Sequence, residues 1–268
     1  MNPSSSEAPA TKGLRLRAAS QSDGRTLLGG WLSIPSPLVL ETLATADLDY
    51  LCIDCQHGFV GPETLANLLQ VASLLSVPTL VRVPRADGAL IGYALDCGAD
   101  GIIVPGVESS ATAAAIATAC RYAPVGERSR GGGRASMVGG PSKETENDSV
   151  LCFAMIETAK GLAAADEIAS TVGIDGIYVG PNDLAISLGV DPTPSSTLEH
   201  GEHLTAVTRI RDVAKTAGRI AAIHAVDSAE TARARVAAGF DLCTVFTEIG
   251  LLRGGAAQRV SAVTERPS

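Results

Sequence analysis

Five apolar runs in the chain end in, or run straight into, polar residues whose types could do chemistry. "DYLCIDCQHGF" (49–59) stops its run at Asp54 and places His57 three residues on. "TLVRVP" carries Arg82, "CFAMIETAKG" ends in Glu157, "GIYVGPNDL" opens onto Asp183, and "IAAIHA" contains His224. Glu157 and Asp183 together would make a hard, oxygen-rich site of the kind that takes Mg²⁺ or Mn²⁺, with positions left for water and substrate oxygens. Asp183 could instead cap a helix beginning near Leu184. Arg82 is costly to bury unless an anion meets it, such as a carboxylate or a developing enolate. Asp54 and His57 read either as an acid and a histidine delivered to a site or as the polar end of a buried strand. Taken singly, each residue is explained by an ion pair or a cap; their joint placement depends on the elements that carry them.

Those elements alternate. Apolar runs at 27–34, 50–54, 79–83, 101–105, 151–157, 176–180, 220–225 and 242–248 read as strands. Stretches of helical length lie between them, among them 63–75, 88–97, 109–122, 159–171, 201–217 and 227–238. Eight βα units in roughly 250 residues is the count of a single TIM (β/α)8 barrel, whose active site lies at the C-terminal ends of the strands. An open doubly wound sheet is the alternative, but no G-x-G-x-x-G follows the first run. Residues 1–22, rich in Ser, Pro and Ala, read as a mobile tail, and 23–268 as the barrel domain. The Gly-rich stretch 123–149 is the one long connection, and its Arg128, Arg130 and Arg134 would suit a lid over an anion as well as a solvated loop.

Composition narrows the function. The chain is 46% hydrophobic but only 3% aromatic, so Ala, Val, Leu and Ile must build the core, as in parallel sheets. A net charge of −8 argues against nucleic-acid or anionic-membrane partners and for a small-molecule substrate. No apolar run is long enough for a membrane span and no signal peptide is evident, so a cytoplasmic location is expected. The six cysteines are spread along the chain and read as reduced; Cys52 and Cys55 form a C-x-x-C, but inside a strand and with no second pair. His200 and His203 lie in a polar stretch and read as a solvated helix start. His224 could be presented to the cavity, against the distal part of a substrate.

The segments "YLCIDCQHG", "LVRVP", "ALDCGADGIIVPGVESSATA", "RYAPVGERSRG", "MIETAKGL" and "GIDGIYVGPNDLAISLG" resemble, in order, the consecutive motifs of the class II pyruvate aldolases of the HpcH/HpaI family, over about residues 27–253. The resemblance implies a TIM barrel that makes or cleaves a 4-hydroxy-2-oxo acid, giving pyruvate or a close 2-oxo acid and an aldehyde. It implies a divalent metal, Mg²⁺ or Mn²⁺ with Co²⁺ or Zn²⁺ as further options, held by Glu157 and Asp183. Arg82 matches the arginine that steadies the enolate, and His57 with Asp54 matches the acid/base pair. As a histidine, the side chain suited to moving protons near neutral pH, His57 can take the proton of the 4-hydroxyl. Gly180, Pro181, Asn182 and Leu184 form the turn whose N–H groups, at a helix N-terminus, would hold the substrate carboxylate. Homo-oligomers, hexamers or trimers with the last helix exchanged between subunits, are implied as well.

Three positions depart from the family pattern. Gln56 replaces the usual Glu before the histidine, and Met155 replaces a Gln two residues before Glu157. Phe246 stands where the last strand usually has a Gly. Met155 and Phe246 are expected to line the pocket and favour small or apolar aldehydes. Two other reactions or roles are open: oxaloacetate decarboxylation or a macrophomate-synthase-like use of the enolate, and a non-catalytic 2-oxo acid sensor.

Overall fold

The computed structural model describes residues 11–22, 24–131, 142–193, 201–226 and 228–264. A helix, α1 (Lys12–Ser22), precedes β1 (Leu27–Leu32), followed by α2 (Pro37–Ala44), β2 (Tyr50–Asp54), α3 (Pro62–Ala72), β3 (Thr79–Arg82), α4 (Gly88–Cys97), β4 (Gly101–Val104) and α5 (Ser110–Ala119). Then come α6 (Lys143–Ser149), β5 (Leu151–Ile156), α7 (Ala159–Ala163), α8 (Ala165–Ser170), β6 (Gly176–Val179) and α9 (Pro181–Ser187). The chain continues through α10 (Gly201–Thr216), β7 (Ile220–His224), α11 (Ala229–Ala237), β8 (Leu242–Thr247) and α12 (Glu248–Thr264). The eight strands close in sequence order into a parallel barrel, β1 pairing with β8. The TIM-barrel reading holds, with strand ends within a residue or two of those expected.

Alternation along each strand makes two cores. One face packs against the helices, through residues such as Leu51, Val81, Ile102 and Ile223. The other fills the barrel interior with Leu27, Tyr50, Leu80, Phe153, Tyr178 and Leu242 among others. Large side chains need small neighbours there. A Cβ on Gly29 would fall 2.2 Å from the Tyr50 ring, so that position admits no side chain.

Acids fasten the barrel's lower rim. Asp49, Asp100, Asp175 and Asp241 each stand one residue before an even-numbered strand, and accept from the backbone N–H of Leu28, Thr79, Cys152 and Ala221 at 2.7–2.9 Å. Each also meets a cation: Arg25, Lys12, the pair Arg17 and Arg121, and Lys215 respectively. Two of these cations belong to α1. The mobile-tail expectation therefore fails for residues 12–22: α1 inserts buried Leu16 into the interior core and ties Lys12 to Asp100 and Arg17 to Asp175. Its Ser- and Ala-rich composition hides one anchoring leucine and two placed cations.

The end of the connection 123–149 is helical, since α6 occupies it. Arg128 is not a lid residue. Its side chain is buried, donates to Asp96 at 2.7 Å, and lies 4.6 Å over the Tyr122 ring. Arg130 is exposed, and Arg134 lies outside the described residues.

Candidate active site

Two residues beyond the interior positions Cys52, Leu80, Met155, Tyr178 and Ala222 stand Asp54, Arg82, Glu157, Gly180 and His224. A period of two turns them all inward at the upper rim, so the polar strand ends form one ring.

Asp54 and Arg82 are locked together. Arg82 Nε donates to Asp54 Oδ1 at 2.9 Å and Nη2 to Oδ2 at 2.7 Å, a bidentate pair on adjacent strands in register. Burial alone would raise the Asp54 pKa, but the hydrogen bonds and charge of Arg82 outweigh it and hold the carboxyl below its usual range. Asp54 Oδ1 also accepts from the backbone N–H of Gln56 at 3.0 Å and His57 at 3.3 Å. The expected acid/base pair therefore differs in form: Asp54 holds the turn carrying His57, while the His57 side chain is exposed and makes no hydrogen bond among the described residues. Gln56 Oε1 is buried without a partner among the described residues. Beneath Arg82 lies Trp31, 4.9 Å from the guanidinium carbon. Sequence reasoning missed Trp31; the signal was a lone tryptophan two residues before the polar end of the first apolar run.

Glu157 is buried and faces a second acid. Burial first, and the charge of Asp183 second, push its pKa up to about 7, against the opposing pull of Arg82 and the Gly106 N–H. Gly180 leaves room for it, because a Cβ there would sit 2.7 Å from Glu157 Oε2. Asp183 is exposed in the first turn of α9. A buried acid whose ionisation is made costlier by a second acid beside it fits a cation between the two. No group of three or more His, Cys, Asp or Glu among the described residues could hold an ion, so such a site would draw its remaining ligands from water and substrate.

The turn at 180–184 is narrower in what it offers than expected. Leu184 N–H is spent on Gly180 O at 3.1 Å and Pro181 has none, leaving Asn182 and Asp183 to present theirs. The side chains of Pro181 and Leu184 are buried. His203 does not belong to a solvated helix start. It is fully buried, and its ring Nε2 lies 2.9 Å from Pro181 O, bracing α10 against this turn. His200 lies outside the described residues.

Met155 and Phe246 do not face one another across a pocket. Met155 is inward but only 1% exposed, a floor residue beneath Glu157. The β1–β8 register shifts between Gly29 and Gly30, so that Phe246 pairs with Gly30, an outward position. A Cβ on Gly30 would lie 2.7 Å from the Phe246 ring, and Phe246 lines an outer groove with Val226, Val236 and Leu251. The bulge defeats simple alternation. The C-x-x-C thiols favour the protonated form, since burial raises Cys52 and pushes Cys55 up to about 12, and none of the six cysteines forms a disulfide.

A closed (β/α)8 barrel with an arginine–aspartate pair and two acids on its upper rim has the architecture of a small-molecule enzyme. The chain belongs to the HpcH/HpaI aldolase/citrate lyase family, whose profile matches residues 27–247, and is a carbon–carbon lyase. It is 37% identical over 240 residues to a hydroxypyruvate/pyruvate aldolase of Rhizorhabdus wittichii, covering 89% of this chain and 94% of that one. It is 34% identical to a 4-hydroxy-2-oxovalerate aldolase of Rhodococcus jostii, covering 91% and 92%. Among solved structures, an HpcH/HpaI family protein of Burkholderia cenocepacia superposes with a TM-score of 0.86 at 32% identity, covering 93% and 99%.

Proposed function

We propose that the protein is a metal-dependent aldolase that joins or cleaves a 4-hydroxy-2-oxo acid, with pyruvate or a close 2-oxo acid and an aldehyde as the other side of the equilibrium. The observation that carries this reading is buried Glu157, raised to about 7 in part by the Asp183 charge, on the same rim as the Arg82–Asp54 pair. The names of the R. wittichii and R. jostii relatives point the same way. Glu157 and Asp183 would hold Mg²⁺ or Mn²⁺. When bound, such an ion supplies Lewis acidity toward the 2-oxo group and lowers the cost of the enolate.

The chain's own groups divide the remaining work. Arg82, fixed by Asp54 and Trp31, offers positive charge where the enolate oxygen gains negative charge. His57 takes the proton from the 4-hydroxyl in cleavage and returns it in synthesis. The N–H groups of Asn182 and Asp183 hold the substrate carboxylate. Met155 closes the floor.

The assembly would be a homo-oligomer, hexamer or trimer, in which α12 crosses to a neighbour. Among its described residues only Glu248 is buried, while Leu251, Leu252, Val260 and Val263 are at least half exposed. An apolar groove of about 940 Å³, lined by Leu28, Val226, Val236 and Phe246 among others, lies open beside β8 and α11. The helix of a second copy is its natural occupant. Among the described residues no helix is long and apolar enough to cross a membrane, which accords with a cytoplasmic enzyme.

The test is to incubate the protein with Mg²⁺ or Mn²⁺, pyruvate and an aldehyde panel, and separately with oxaloacetate. A new 4-hydroxy-2-oxo acid supports the aldolase. Pyruvate from oxaloacetate without any aldol product would reassign the enolate to decarboxylation, and neither product would leave a binding protein.

A further inference from the structure

On the upper rim of the barrel, Asp54 and Arg82 satisfy one another and Glu157 faces Asp183, but the inward group of β7 has no such partner. The His224 ring makes no hydrogen bond among the described residues, and its Nδ1 is buried and unsatisfied. Buried polar atoms are ordinarily paired, and an exception calls for a ligand or a water. The ring is fixed rather than loose. It stands edge-on to Trp31, with centroids 4.6 Å apart at 73°, and Trp31 in turn underlies Arg82. A packing role alone would be served by leucine, without a stranded nitrogen.

The chemistry of the ring selects its ligand. Burial first, and the Arg82 charge second, lower the His224 pKa to about 3, so the imidazole is neutral at working pH. One of its nitrogens then donates and the other accepts. The substrate carboxylate is already assigned to the N–H groups of Asn182 and Asp183, and the charge of Arg82 to the enolate, which leaves His224 for an uncharged group. A hydroxyl, which both gives and takes a hydrogen bond, matches a neutral imidazole.

We propose that His224 is a specificity-determining residue that hydrogen-bonds a hydroxyl of the substrate, carried either on the acceptor aldehyde or on C3 of a hydroxylated 2-oxo acid donor. The proposal rests on the aldolase reading. It reverses the preference for apolar aldehydes expected from Met155 and Phe246, since one is a buried floor residue and the other lies outside the barrel.

The test uses isosteric pairs. In one arm pyruvate is offered with propanal or glycolaldehyde; in the other, propanal is offered with 2-oxobutanoate or hydroxypyruvate. The wild type should favour the hydroxylated member in at least one arm by kcat/KM. His224→Leu should lower that ratio about threefold to tenfold, the worth of one neutral hydrogen bond. His224→Asn, which keeps a donor and an acceptor, should retain part of the preference and guards against a general packing defect. The arm that responds identifies the source of the hydroxyl. Unchanged ratios in both arms for both variants, with aldol product still forming, would overturn the role of His224 alone. No aldol product from the wild type in any combination would overturn the aldolase reading and this proposal with it.

Discussion

Glu157 and Gly180 constrain each other, and the pair makes the metal assignment testable without turnover. Glu157 is raised to about 7, so a proton occupies it at lower pH and competes with a cation. Metal affinity should therefore rise as pH increases through about 7 and level off above it. Calorimetry in buffers of different ionisation heat should show proton release on Mn²⁺ binding near pH 6, and Glu157→Gln should lose both the release and the pH dependence. Gly180→Ala would push a methyl to 2.7 Å from Glu157 Oε2. We expect it to weaken metal binding by about 10- to 100-fold, as changes beside a ligand commonly do, with the fold retained. Unchanged affinity would mean that Glu157 is not a ligand. Arg82→Ala has a different signature, because it leaves Asp54 buried and unpaired at a cost of about 3–5 kcal/mol. Chemical denaturation should reveal that loss, so Arg82→Lys is the better variant for kinetics.

At the scale of elements, the lower rim and α1 carry stability rather than chemistry. Leu16→Ala should cost about 2–5 kcal/mol, since it empties a core position at the base of the barrel; a thermal midpoint equal to that of wild type would refute the anchoring of α1. The barrel and its ring of site residues were legible in the sequence because apolar runs of strand length recur at βα spacing and their polar ends share one parity. Asp54, Arg82, Glu157 and His224 follow directly from that rule. What escaped it had local causes. Phe246 was misplaced because a bulge between Gly29 and Gly30 shifts β8 by one residue, and a single sequence carries no mark of it. The structure of α1 and the burial of His203 depend on partners far along the chain: Asp100 and Asp175 for α1, and Pro181 for His203. Asp54 was expected to orient the His57 ring, whereas its bond goes to the His57 backbone N–H, a turn geometry that residue types alone do not mark.

For the whole molecule, the exposed α12 and the open groove beside β8 require a second copy if both are to be buried. Light scattering should therefore find an oligomer for the full chain and a monomer or aggregate for a chain ending at Glu248; a clean full-length monomer would remove helix exchange. The central claim is that the assembled rim makes an enolate from a 2-oxo acid with a divalent metal, and one measurement addresses it without depending on the choice of aldehyde. Pyruvate in D₂O, followed by proton NMR, should lose its methyl signal when the protein and Mg²⁺ or Mn²⁺ are both present. The loss should stop with chelator and with Glu157→Gln, and slow markedly with Arg82→Lys. A methyl signal that stays intact with metal-loaded protein, or that exchanges equally well after chelation, would contradict the account.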